Sequence, residues 1–247
     1  MAIIFIPLSI LLWRAVLVKN FKYVITNIVQ KITLNSKNYP ELLKQIYDPP
    51  KQLYILGDLT DQLSLINNPL AVVGTRKAST YGEKTTNYFV RTLAKAGLTI
   101  ISGLALGIDS IAHQSTLEVK GRTVAVLGSG LNVIYPPTNK NLAQEIIKSN
   151  GVIISEYPPN TRPSKQNFPT RNRIIAGLSL GVLVIEAPEK SGALITARAA
   201  IEQGREVFVV PGSIYNENSA GCHFLIKAGA KPVTKPEDIL ETLSSLY

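Results

Sequence analysis

The 247 residues contain one cysteine, Cys222. That excludes an internal disulfide and a cysteine-rich zinc site. The two histidines, His113 and His223, leave too few ligands for a histidine-based metal centre, so no metal site is expected. Glycine (17) and proline (15) are near average usage, which excludes collagen-like and low-complexity classes. Charged residues are only 17% and apolar ones 45%, so the chain can build a full core and global disorder is excluded. A chain with one thiol and no disulfide fits a reducing cytoplasm.

Long apolar runs are also scarce. Residues 3–18 are mostly apolar but are broken by Pro7, Ser9 and Arg14. A spanning helix needs about 20 apolar residues. No small-residue cleavage site follows; Val18, Lys19, Asn20 and Phe21 come next. There is neither a Met-Gly start for myristoylation nor a C-terminal prenylation box. A packed helix, or an ill-defined start of the chain, is favoured over a membrane-associated segment.

Charge of one sign is plentiful. The net charge is +9, and the isoelectric point is near 9.6. A polyanionic partner is implied, either nucleic acid or membrane headgroups. The excess is uneven: residues 1–57 carry a net +5 and residues 58–247 a net +4. Local clustering must therefore decide the partner. The expected organisation is an apolar and basic extension over 1–37, a main domain over 38–230 and a strand/helix tail over 231–247. Pro40 suits the first turn of a helix over Glu41–Tyr47, stopped by Pro49-Pro50 and followed by a strand over Gln52–Leu56. This lead-in should pack on the main domain.

Within the main domain, short β-branched runs recur every 25–30 residues: Leu70–Val73, Leu98–Ile101, Thr123–Leu127, Val152–Ile154, Val182–Ile185 and Val207–Val210. Helical stretches separate them: Tyr81–Ala96, Ile108–Lys120, Asn139–Lys148, Arg171–Leu178 and Ala193–Gln203. Runs that are apolar throughout suit strands covered on both faces. The pattern predicts βαβ crossovers and a doubly wound, mostly parallel α/β sheet of extended Rossmann type.

In such sheets ligands bind outside the carboxyl ends of the strands. Five of the six strand ends carry Gly or Ser within three residues, which lets backbone amides approach an anion. Ser102, Gly103, Gly128, Ser129 and Gly130 are therefore candidate anion-binding loops. The first strand leads into Gly74, Thr75 and Arg76, where the guanidinium adds a planar charge. The spacing is not GxGxxG, and no acid ends the second strand to hold a ribose, so neither NAD nor another cofactor is expected. Asp109 and His113 share a helix face and read as capping and packing groups.

Tyr157 to Ile185 contains no acidic residue. Arg162, Lys165, Arg171 and Arg173 lie there, with Phe168 between them and Asn172 adding donors and an acceptor. Cations around an aromatic suit single-stranded nucleic acid, whose phosphates need charge and whose bases need a stacking surface. The alternative is a solvated loop with Phe168 in the core. Finally, Ser191-Gly192 opens a helix whose N-terminus is itself attractive to anions.

The ordered motifs VVGTRKASTYG, SGLALGID, AVLGSGL, SEYPP, FPTRNRIIAGLS, IEA, SGALITA, GREVFVVPG and SAGCHFLIKAGA resemble the DNA-processing protein A (DprA/Smf) family over about Asn38–Ala230. The resemblance implies a single-stranded DNA-binding, non-enzymatic recombination mediator. Such proteins form homodimers and load a RecA-type recombinase during natural transformation. It assigns DNA contacts to Gly74, Thr75, Arg76, Lys165 and Phe168, and places Arg171 and Arg173 in the phosphate path. About 37 residues precede the match and 17 follow it. That is little room for the helical and winged-helix domains many members carry. The rival reading is a nucleotide hydrolase of the related LOG-type Rossmann superfamily. That class carries PGGxGTxxE where this chain has SGALITARAA, which leaves Glu156 and Glu186 as candidate acids or bases.

Overall fold

The computed structural model describes residues 29–57 and 68–245. The apolar run at 3–18 lies outside them. The strands are β1 (Gln30–Thr33), β2 (Gln52–Leu56), β3 (Pro69–Val73), β4 (Thr99–Ser102), β5 (Thr123–Leu127), β6 (Val152–Ser155), β7 (Gly181–Val184), β8 (Glu206–Val209) and β9 (Lys231–Pro232). The helices are α1 (Glu41–Lys44), α2 (Thr80–Lys95), α3 (Ile108–Glu118), α4 (Lys140–Lys148), α5 (Asn167–Gly177), α6 (Gly192–Glu202), α7 (Ala220–Lys227) and α8 (Pro236–Ser244). The strands form one sheet in the order β1-β2-β6-β5-β4-β3-β7-β8-β9.

From β6 to β9 all neighbours are parallel. Only the β1–β2 hairpin, which joins at β6, is antiparallel. The residues of β3, β4, β5 and β7 are buried throughout. This explains their continuous apolar character, because helices cover both faces. One core side holds Ala71, Val73, Val182 and Val184 with the lead-in residues Leu43 and Ile46. The other holds Leu70, Val72, Phe89 and Leu93 together with Ile239 and Leu243 of α8. Each such fully buried aliphatic side chain stabilises the fold by about 1.5–3 kcal/mol. Residues 231–243 thus add an edge strand and a packed helix to the same sheet and core.

Two helices differ from the sequence expectation. α1 ends at Lys44 rather than Tyr47, and the turn that follows brings Asp48 to Arg173. α5 begins at Asn167 rather than Arg171. Pro169 occupies its first turn, where no intrahelical N–H is required, so proline is tolerated there. Phe168 is therefore a helix residue. Helical spacing places Phe168, Arg171, Asn172 and Ile175 on one face.

Strand order reverses at β3. The chain runs outward through β4, β5 and β6, then returns to β7 on the opposite side of β3. The loops leaving β3 and β7 diverge there and open a crevice at the carboxyl ends of the strands.

Candidate nucleic-acid interface

The crevice has a volume of about 630 Å³. It gathers Gly74, Thr75 and Arg76 from the β3–α2 loop, Lys165 from the turn before α5, and Phe168, Arg171 and Asn172 from α5. Ser191 and Gly192 come from the start of α6. These residues are far apart in sequence, and the switch point brings them together.

Backbone contacts fix the loop that carries Arg76. Thr75 N–H donates to the Glu186 carbonyl at 2.7 Å, and Ile108 N–H donates to the Thr75 carbonyl at 3.2 Å. Gly107 has a φ of +74°, and a Cβ there would stand 2.3 Å from the Thr75 oxygen. Only glycine lets the β4–α3 turn lie against the Arg76 loop.

The Arg76 guanidinium lies 5.5 Å from the centre of the half-buried Phe168 ring. The Tyr135 ring lies 5.6 Å from Phe168 on an inclined plane. Arg76, Phe168 and Tyr135 thus form a partly exposed cluster of planar groups at the crevice mouth. Arg76, Lys77, Lys165 and Lys190 are all exposed, and none forms an ion pair with a described residue. Sequence reasoning missed Tyr135, Lys77 and Lys190 as site residues. Lys77 and Lys190 had a local signal, since each directly neighbours a loop already singled out.

Among the described residues Asp109 is the only acid lining the crevice, and it is buried. Its carboxylate accepts the N–H groups of Gly103 at 3.1 Å and Ala105 at 3.4 Å. Burial pushes its pKa upward, against the opposing field of Arg171. Arg171 is also buried. It donates to the carbonyls of Gly103, at 2.8 Å, and of Val126, and its Nε donates to Asn172 Oδ1 at 3.2 Å. Burial lowers its pKa to about 10, so it stays charged at neutral pH. Asn172 in turn donates to the Gly192 carbonyl at 3.2 Å, tying α5 to the start of α6. Arg171 and Asn172 form the floor of the crevice, with their polar atoms engaged by the protein.

Arg173 is not brought to the crevice. It donates to Asp48 at 3.1 Å and Glu156 at 2.8 Å, and so joins the lead-in to the end of β6. Two residues along a helix is a rotation of about 200°, which turns Arg173 away from Arg171. The other small-residue loops are filled by the chain itself. Ser102 Oγ donates to the Val72 carbonyl, and Gly103 lies against Arg171 and Asp109. Gly128 backs the Phe168 ring, and Ser129 Oγ donates to the Val133 carbonyl. Gly130 N–H donates to the Thr161 carbonyl. His113 is buried beneath this layer, with Nδ1 2.6 Å from Thr123 Oγ1. Among the described residues no cluster of His, Cys, Asp and Glu has metal-site geometry, and no helix is long and apolar enough to cross a membrane.

The chain is similar to Protein Smf of Escherichia coli, with 50% identity over 212 residues, covering 86% of this chain and 56% of that protein. It thus spans about half the length of that relative. The structure of DNA processing protein A from Streptococcus pneumoniae aligns with a TM-score of 0.80 at 43% identity, covering 92% of this chain and 77% of that one. That of DNA processing protein A from Helicobacter pylori, a protein studied for its single-stranded DNA binding mode, aligns with a TM-score of 0.76 at 34% identity, covering 88% and 97%. The sequence profile described as DNA recombination-mediator protein A matches residues 30–244, from the first described strand to the last helix, and this chain belongs to that family.

Proposed function

We propose that the crevice binds single-stranded DNA without reading its sequence, and that the protein acts as a non-enzymatic recombination mediator. One observation carries this reading. Arg76 lies over Phe168, and Lys165 lines the same open crevice, whose only acid among the described residues is buried. Exposed cations meet phosphates, and an aromatic ring accepts a base whatever its identity. The Helicobacter relative's single-stranded DNA binding supports the same assignment.

Neither candidate acid of the hydrolase reading faces the crevice. Glu156 is engaged by Arg173, and both Glu186 carboxylate oxygens accept hydrogen bonds from Ser79. Loading of a RecA-type recombinase, a homodimeric state and a cytoplasmic location complete the proposal and rest on family membership.

A salt titration of binding to an unstructured oligonucleotide, with duplex of equal length as control, tests the central claim. Each neutralised phosphate contributes about 0.7 to the log–log slope for single strands. Four exposed cations should give a slope near −3, with the duplex bound more weakly. A flat salt response, or a preference for duplex, would defeat the reading. Turnover of nucleoside monophosphates above background would favour the hydrolase instead. Sedimentation and recombinase-filament nucleation assays test the dimer and the loading role.

A further inference from the structure

Ser79, Gly82 and Glu186 line no part of the crevice, yet they meet directly behind the loop that carries Arg76. In doubly wound folds, the helix after the strand at the switch point seats a nucleotide phosphate. Its first N–H groups point outward, and the helix dipole adds roughly half a positive charge. Here that helix is the 16-residue α2.

A carboxylate of the same chain already occupies this seat. Ser79, the N-cap residue of α2, donates through its N–H to Glu186 Oε2 at 3.0 Å and through its hydroxyl to Oε1 at 2.5 Å. The same Ser79 hydroxyl oxygen accepts the Gly82 N–H at 3.1 Å. A Cβ at position 82 would stand 2.2 Å from Oε2, so the carboxylate reaches the helix only because residue 82 is glycine. Glu186 is 1% exposed, and no described lysine or arginine forms an ion pair with it. A buried carboxylate without a cationic partner requires another source of positive potential. The start of α2 supplies it.

We propose that Glu186 is a specificity-determining residue. It is an internal anion that closes the phosphate seat of α2 to the phosphates of a small nucleotide. Phosphate binding then falls to Arg76, Lys77, Lys165 and Lys190 on the open crevice. A single strand presents phosphates to several separated cations at once, whereas pyrophosphate or a mononucleotide does not. The proposal rests on the reading of the crevice as a strand-binding site.

The test follows backbone amide resonances of the native chain and of Glu186→Ala during titration with inorganic pyrophosphate. An oligothymidylate titration is run on the same samples. In the native chain the Ser79 and Gly82 amides should not respond to pyrophosphate. In Glu186→Ala they should shift saturably, and pyrophosphate should bind at least tenfold more tightly than to the native chain. A response of the native Ser79 and Gly82 amides would overturn the proposal, as would a folded Glu186→Ala that gains no affinity. If that variant does not fold, the native titration decides alone. Failure of the native chain to bind oligothymidylate would instead defeat the strand-binding reading, whatever pyrophosphate does.

Discussion

Arg76 and Phe168 meet across the switch point, with the guanidinium 5.5 Å from the ring centre. The contact joins the loop after the first core strand to the first turn of α5. Under the strand-binding reading it joins a phosphate-binding charge to a base-stacking ring, because the ring's negative face attracts the cation.

Replacement of Arg76 or Lys165 by alanine should weaken binding to all oligonucleotide sequences alike. Each lost phosphate contact should lower the salt slope by about 0.7. Fluorescence anisotropy at several salt concentrations measures both effects. A changed base preference with an unaltered slope would contradict the assignment.

Phe168→Ala should reduce affinity by about 1–3 kcal/mol with little change in salt slope. Because Arg76 rests on the ring, its effect should not add to that of Arg76→Ala. Residues in contact usually deviate from additivity by about 0.5–3 kcal/mol. A double-mutant cycle run alongside thermal melting checks this. Loss of melting temperature without loss of binding by the folded fraction would make Phe168 purely structural.

Tyr135→Ala should cost about 1–3 kcal/mol of affinity at unchanged salt slope, because its half-exposed ring adjoins Phe168 and offers a second aromatic surface to a base. Tyr135→Phe should retain binding, since stacking needs the ring rather than the hydroxyl. An abasic oligonucleotide should narrow the gap between native chain and Tyr135→Ala.

The two arginines of the RNR motif should behave differently. Arg171→Ala removes a buried cation beside the buried Asp109 and should destabilise the fold by about 3–5 kcal/mol. Arg173→Ala breaks pairs with a mostly exposed Asp48 and a partly buried Glu156, and should cost about 1 kcal/mol with DNA affinity retained. Urea unfolding and oligonucleotide titration on each variant separate the outcomes.

Stability should fall with acidification below the ordinary histidine range. Burial, reinforced by the field of Arg171, lowers the His113 pKa from 6.5 to about 3. Between those values the unfolded chain binds a proton that the folded chain does not. The group therefore contributes stability above pH 6.5 that is lost toward pH 3, with a slope near 1.4 kcal/mol per pH unit. Asp109 has the opposite sign. Its raised pKa gives stability present below 3.8 and lost as pH rises through its folded value. Urea unfolding at a series of pH values should show the histidine slope, and His113→Asn should remove it.

The core strands, their order along the chain and the importance of the loops after them were legible in the sequence. Buried parallel strands must be apolar throughout, and the crossovers impose a spacing on them. Lys165 and Phe168 stood out because the stretch around them lacks acids, and Arg76 because it follows a strand-ending glycine. Tertiary structure alone decided the rest. The return of β7 beside β3 selects which strand ends meet, and a periodicity carries no information about strand order. A helix that admits Pro169 in its first turn turns Arg171 inward to carbonyls and Arg173 outward to Asp48 and Glu156. Two identical residues two positions apart cannot be told apart by charge or size in the sequence. The Glu186–Ser79 contact likewise depends on two loops that approach only once the sheet is assembled. Their burial makes the carboxylate part of the fold, and leaves the surface cations to face the crevice.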